Sequence, residues 1–335
     1  MKKIWLLKIA ITFALIVSAC QSPVPPSTST PTPTLTPTLT RTPTLTLTVT
    51  PTNTSSVSAD ATNPCIGAPA PAHWNHIVVL MFENKTYNEV IGQAPYITSL
   101  ANKCATATNW QDSNTKVDGS ADGKYNSKPS YATLTNGVSP SVHGLKNDNY
   151  STTTGVDNIY NQLNLAGKSF KDYYDAEAGG CGVRFEGDYH DPIRYYTNVA
   201  SICDAHDVPL STFMADVNSG DLPAFSILLP TNDHNMHDNS VSAGDEYARS
   251  ILDPLLNSQA YAKGDLAIFF LWDEDCPIPN VLLAPSIVSG TKITVPSGNP
   301  ISHFSALRTW EEMLGLPLIG DTNQAPSLLT YFEED

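Results

Sequence analysis

The chain has 335 residues, 41% of them apolar, and a formal net charge of −15; that length holds one large domain or two small ones. Gripping a nucleic-acid backbone needs clustered Lys and Arg. With 18 basic residues against 33 acidic ones, and no basic stripe, the sequence excludes nucleic acid as a partner and gives no electrostatic attraction to anionic lipid.

The first twenty residues, "MKKIWLLKIAITFALIVSAC", pair Lys2 and Lys3 with a mostly apolar stretch and end on Ser18, Ala19 and Cys20. This pattern predicts a signal peptide over residues 1–19; the stretch is short for a membrane span and Lys8 interrupts it. Val17-Ser18-Ala19-Cys20 resembles the lipobox of bacterial lipoproteins. The resemblance implies cleavage before Cys20, acylation of that cysteine, and a product held at the outer side of the bacterial membrane by its lipid; an ordinary secretory signal is the alternative. From Cys20 to residue 64 the chain is nearly all Thr, Pro, Ser and small residues. Such a tract buries too little apolar surface to offset the entropy of ordering and is expected to be an extended tether reaching on the order of 100 Å. Residues 65–335 then form one domain.

Five cysteines follow Cys20, and an exported protein meets an oxidising compartment. Pairing Cys65 with Cys104 and Cys181 with Cys203 leaves Cys276 over, although spacing alone does not fix connectivity. No CxxC or Cys/His zinc spacing is present.

Within the domain, "HIVVLMF" (76–82) is a continuous apolar run ending in Glu83-Asn84, as expected of a buried strand feeding a loop. "PYITSLANKCA" has helical spacing. "SKPSYATLTN" (127–136) predicts a helix that opens near Ser127 or Ser130 and stops at Asn136-Gly137. "GVDNIYNQLNLAGKSFKDYYDA" gives helix, Gly turn and strand, and "STFMADVNSGDLPAFSILLP" gives a Ser-capped helix and a strand. "GDEYARSILDPLLNS" predicts an amphipathic helix that Pro254 kinks or ends. "DLAIFFLW" and "NVLLAPS" read as two more buried strands, and "SHFSALRTWEEMLG" as a helix ended by Gly315. No internal repeat is evident. Apolar strands alternating with helices predict an α/β fold: three α/β/α layers around a mostly parallel sheet.

In such sheets ligands bind beyond the carboxyl ends of the strands, where three strands carry acidic or His-rich clusters: Glu83-Asn84, "TNDHNMHD" (231–238) and Asp273-Glu274-Asp275. Carboxylates crowded on pinned backbone repel one another, and a divalent cation resolves the conflict. Glu83, Asn84, Asp273 and Glu274 are hard oxygen ligands suited to Ca, Mg or Mn, whereas nearby imidazoles shift the choice toward Zn or Fe. A serine at the tip of helix 127–136 supplies a nucleophile, its hydroxyl activated by metal coordination, beside a helix end that favours anions. The implied substrate is an anionic phosphoester, either a small molecule or a phospholipid. Alternatively, Ser127 and Ser130 are plain helix caps, Asp273-Glu274-Asp275 is a solvated turn, and His143 merely ends a helix. Tyr173, Tyr174, Tyr195 and Tyr196 are expected in packing or at a pocket rim; His73, His76, His190, His206 and His234 have no evident partner.

"HIVVLMFENKTYNEVIGQAPYITSLA", "SKPSYATLTNGVSPSVHG", "LLPTNDHNMHD", "FLWDED" and "SHFSALRTWEEMLGLPLIG" occur in an order and spacing that resembles the phosphoesterase family of the alkaline phosphatase superfamily, which includes bacterial acid phosphatases and phospholipases C. The resemblance covers residues 73–320. It implies that Glu83, Asn84, Asp273 and Glu274 bind metal with Ser127, that Asn84 also meets phosphate, that Ser127 is the nucleophile, and that His303 faces the phosphate or a second metal. Ser130, His143 and Asp238 are expected to contact substrate, and His237 or His303 to protonate the leaving group. Where the family often has His-Pro before the serine, this chain has Tyr125-Asn126, which keeps open a surface binding module without turnover. The leading reaction is phosphomonoester hydrolysis through a phosphoserine, with phospholipase C-type diester cleavage as the alternative.

Overall fold

The computed structural model describes residues 58–176, 179–182, 188–294 and 299–333. The expectations for the leader, for Cys20 and for the tract as far as residue 57 lie outside the described residues. Residues 58–64, expected in the tract, are folded against the domain: Ala61 N donates to Asn257 Oδ1 at 3.1 Å, Lys103 Nζ to the Thr62 carbonyl, and Tyr261 OH to the Pro64 carbonyl.

Among the described residues one sheet of seven strands runs through the domain: β1 (His76–Phe82), β2 (Ala105–Thr106), β3 (Phe170–Tyr174), β4 (Asp207–Pro209), β5 (Phe225–Leu229), β6 (Leu266–Trp272) and β7 (Val281–Leu283). Their order is β2-β7-β6-β1-β5-β3-β4. The pairings from β6 through β1, β5 and β3 to β4 are parallel. β7 runs antiparallel to both β6 and β2, so "NVLLAPS" is a buried strand of opposite direction to the other long ones. Every residue of β5 and β6 is buried. Successive side chains point to opposite faces, so full burial means that both faces are covered, which is why these strands show no polar alternation.

Helix α1 (Pro95–Lys103) packs against α3 (Val241–Leu256), and α2 (Ser127–Asn136) against α4 (His303–Leu314). Pro254 lies inside α3, two residues before its end; so close to the terminus the missing N–H removes one ladder bond without stopping the turn. Gly137, at φ +68°, and Gly315, at φ +65°, terminate α2 and α4 in the left-handed conformation that glycine adopts without steric cost. Trp310 of α4 packs on Phe225 and Phe269 at 5.2 and 5.6 Å between ring centres. This anchors α4 on the sheet and fixes His303 at its first position. The Cys65–Cys104 and Cys181–Cys203 disulfides form, and Cys276 is a free, half-buried thiol. Tyr173, Tyr174, Tyr195 and Tyr196 are all buried and serve packing.

Candidate active site

The neighbouring strands β6, β1 and β5 are in parallel register, with Phe82 opposite Trp272 and Leu80 opposite Leu228. Their following residues therefore emerge together at one edge of the sheet. Asp273 N donates to the Phe82 carbonyl at 3.3 Å, and Glu83 N to the Asn235 carbonyl at 2.9 Å, which straps the 230–238 loop to the end of β1. Asn84 takes φ +46°, a left-handed value that Asn tolerates, and its N–H reaches Asp273 Oδ1 at 3.2 Å.

Ser127, the first residue of α2, completes the cluster. Its hydroxyl donates to Glu83 Oε2 at 3.0 Å and lies 3.3 Å from Glu274 Oε1. Ser127, Glu83 and Asp273 are buried. Burial, then the neighbouring Asp273, pushes Glu83 well above the ordinary carboxylate range. Burial likewise raises Asp273 to about 6 and, with Asp273 and Asp275 beside it, Glu274 to about 9. Three acids therefore resist ionisation in one place. Two buried acceptors there, Asn84 Oδ1 and Asp273 Oδ2, have no hydrogen-bond partner among the described residues. Orphaned acceptors amid carboxylates that repel one another are what a hard cation satisfies, and the donor set of carboxylate, amide and hydroxyl oxygens fits one. Among the described residues no three His, Cys, Asp or Glu side chains already converge in a metal-holding arrangement; the set relies on Asn84 and Ser127 as well as the acids.

The other residues expected from sequence are distributed around this centre. His303 is fully buried and its Nε2 donates to the Asp273 carbonyl at 2.6 Å, which leaves the lone pair on Nδ1 without a partner among the described residues. His237 and Asp238 bond each other at 2.6 Å near the surface; the His237 ring is 6.2 Å from that of His190. Ser130, one turn beyond Ser127, is held by Ser113 Oγ at 2.7 Å and by the Asn126 carbonyl. His143 has both nitrogens engaged, one near Thr133 Oγ1 at 3.4 Å and the other accepting from Leu145 N at 3.1 Å. Burial pushes its pKa down to about 4. The structure thus gives Ser130 and His143 packing partners inside the fold.

The helix tip also differs from the expected bare anion site. Asp148 accepts from Lys128 N at 2.9 Å and from Asn126 Nδ2 at 2.9 Å, and Pro129 has no N–H to offer. Asn126, in the position of the absent His-Pro, ties the tip to the 148–152 loop. Lys128 Nζ binds the carbonyls of Asn149 and Thr152, both at 2.7 Å, over the Tyr195 ring.

Sequence reasoning missed the part that two side chains play. Tyr131, one turn along α2, donates its hydroxyl to Glu83 Oε1. His190 places Nε2 3.5 Å from the same oxygen, and burial pushes its pKa down to about 3. The spacing from Ser127 to Tyr131, four residues on one helix face, was the available signal for Tyr131; nothing local marks His190.

The profile described as Phosphoesterase family matches residues 117–278, the segment holding Ser127, Asp273 and Glu274. Over that segment the chain is similar to the phosphoesterase family. Over 278 residues it is 28% identical to the phosphatidylinositol-3-phosphatase of Mycobacterium tuberculosis, covering 79% of this chain and 86% of that protein. It is 25% identical over 215 residues to an acid phosphatase of Aspergillus fumigatus, covering 58% of this chain and 47% of that protein. A crystal structure of an alkaline phosphatase superfamily protein from Vibrio parahaemolyticus shares the fold, with TM-score 0.51 at 14% identity over 80% of this chain and 72% of that one. The chain is accordingly a hydrolase of phosphate esters with an α/β fold.

Proposed function

We propose that this phosphoesterase is a metal-dependent phosphomonoesterase acting through a phosphoserine at Ser127. The observation that carries the reading is the hydroxyl of Ser127, buried at the tip of α2 and held between Glu83 Oε2 and Glu274 Oε1. Glu83, Asn84, Asp273, Glu274 and Ser127 would hold a divalent cation. When bound, it supplies the positive charge that ionises the carboxylates and the serine and offsets charge on the phosphoryl oxygens.

The chain's own residues do the rest. Glu83 Oε2, to which the Ser127 hydroxyl donates, accepts its proton. Ser127 Oγ then forms a bond to phosphorus as the bond to the ester oxygen breaks on the opposite side. The departing alkoxide takes a proton from His237, whose Nδ1 is held by Asp238 and whose ring lies near the surface. In the second step water gives a proton to His237 as it attacks the phosphoserine; the bond to Ser127 Oγ breaks, the proton held by Glu83 returns to that oxygen, and phosphate leaves. His303, bonded to the Asp273 carbonyl, holds the turn that carries Asp273 and Glu274.

The monoester assignment is supported by both relatives, each named as a phosphatase. Purified protein is stripped with chelator and assayed with p-nitrophenyl phosphate and p-nitrophenyl phosphorylcholine in Mg, Mn, Ca, Zn or Fe(II). Monoester turnover that requires metal and vanishes in Ser127→Ala is the expected result. Turnover of the diester alone would assign a phospholipase C-type enzyme, and turnover of neither would assign a binding module.

We propose further that this domain sits outside the cell on a lipid-anchored tether, a reading supported by the leader pattern, Cys20 and the Thr/Pro composition that follows. Radiolabelled palmitate incorporation that Cys20→Ala abolishes is the expected outcome; unlabelled, freely secreted protein would refute the anchor.

A further inference from the structure

His190 is a buried imidazole, 1% exposed in its side chain, and neither ring nitrogen has a hydrogen-bond partner among the described residues. Its ring is hemmed in by Tyr131, Tyr189 and His237, at 5.6, 4.2 and 6.2 Å between centres. Folded proteins rarely leave a polar group so deeply buried and unsatisfied without a reason in function. The nearest polar atom given to it is Glu83 Oε1, at 3.5 Å from Nε2, just beyond a good hydrogen bond. Catalytic hydrogen bonds are often long in an unliganded site and tighten when it is loaded.

Glu83 divides its two oxygens. Oε2 receives the Ser127 hydroxyl. Oε1 receives the Tyr131 hydroxyl, and the imidazole stands beside that same oxygen. A carboxylate free to rotate presents either oxygen; one gripped by two donors at Oε1 presents only Oε2. We propose that His190 is a positioning residue for the phosphoester chemistry: its Nε2–H, together with Tyr131, clamps Oε1 of Glu83 so that Oε2 alone faces Ser127 and the bound cation. This inference rests on the assignment of Glu83 and Ser127 made above. Such outer hydrogen bonds typically change metal affinity or activity by about 10–100-fold.

The test compares full-length wild type with His190→Phe, which keeps an aromatic ring and removes both nitrogens, and His190→Gln, which keeps a donor close to the Nε2 position. Mn binding is measured by calorimetry, with kcat and KM for p-nitrophenyl phosphate and the melting temperature alongside. In His190→Phe, Mn affinity and kcat are expected to fall about 10–100-fold with KM little changed, and His190→Gln should recover most of both at a similar melting temperature. Wild-type Mn affinity and kcat in His190→Phe would overturn the proposal, and so would a glutamine variant as impaired as the phenylalanine one. If His190→Phe fails to fold, nitrogen-15 spectra of the wild-type histidine rings decide. The His190 Nε2–H signal, identified by its loss in His190→Gln, should move downfield on adding Mg; a signal indifferent to Mg overturns the clamp. Ser127→Ala, run in parallel, separates the two ideas: full turnover there sinks the nucleophile assignment, whereas a dead Ser127→Ala beside an unaffected His190→Phe sinks only the role of His190.

Discussion

Phe82 and Trp272 are register partners in β1 and β6, so Glu83 and Asp273 leave the sheet side by side, buried and competing for charge. The competition has a pH consequence. Asp273 is raised to about 6 and Glu274 to about 9. The metal-free folded protein therefore holds more protons than the unfolded chain from the ordinary carboxylate range up to those values. Stability falls with pH where the native state binds more protons, so the metal-free protein should lose stability between about pH 4 and pH 9. A divalent cation needs the acids ionised, so its stabilisation should grow over the same range. Melting curves at pH 5 and pH 8, with chelator and with Mn, check this: the Mn-induced rise should be larger at pH 8. In Asp273→Asn it should nearly vanish, while the melting temperature in chelator rises above that of wild type.

The stop at Asn136-Gly137 is enforced twice. Gly137 has φ +68°, and a Cβ built there would sit 2.8 Å from Thr322 Cγ2 and 2.9 Å from the Ile319 carbonyl oxygen. The Gly137 carbonyl also accepts from Asp321 N at 2.7 Å, so the backbone has little room to retreat. Gly137→Ala should cost about 2–4 kcal/mol by urea denaturation, combining left-handed strain with backbone overlap. A cost below about 0.5 kcal/mol would show that the α2 terminus yields easily.

Much of this arrangement was legible from local sequence because buried parallel strands announce themselves. "HIVVLMF" and "IFFLW" fix the ends of β1 and β6, and the residues after those ends, Glu83-Asn84 and Asp273-Glu274, have nowhere to go but the carboxyl edge of the sheet. Ser127 follows from the helix signal and its stop. The direction of β7 escaped because an apolar run carries no sign of its orientation. The two-residue β2 and three-residue β4 are too short to leave a period. Asp148 and His190 reach the site from loops whose placement depends on contacts far apart in sequence. His143 sits in a motif that suggests chemistry, yet its partners Thr133 and Leu145 are its own neighbours along the chain, and only coordinates reveal that both nitrogens are taken.

Glu311 offers a second titration away from the cation ligands. It is buried on α4, accepting from Ile319 N and Thr322 Oγ1, each at 2.9 Å, yet burial outweighs those bonds and lifts its carboxyl to about 7. Between the ordinary glutamate range and pH 7 the folded protein keeps a proton there that the unfolded chain has released, so stability should decline with rising pH across that window. Glu311→Gln keeps the shape and removes the titration. Urea denaturation in chelator at pH 5, 6 and 7 should show a shallower decline in the variant than in wild type; identical slopes would mean that Glu311 stays ionised and is compensated within the α4 environment.

The Cys65–Cys104 bond joins the segment just after the Thr/Pro tract to the end of α1, across 39 residues of sequence, with both cysteines buried. Closing a loop of that length removes about 4 kcal/mol of unfolded-chain entropy on the chain-entropy account. The bond also secures residues 58–64, whose hydrogen bonds to Asn257, Lys103 and Tyr261 are few and partly exposed. The double variant Cys65→Ala/Cys104→Ala should therefore lose about 2–4 kcal/mol in urea while keeping kcat near that of wild type, since no atom of the bond touches Ser127 or the acids around it. Limited proteolysis should cut this variant first near residues 58–64, and the remaining domain should stay active.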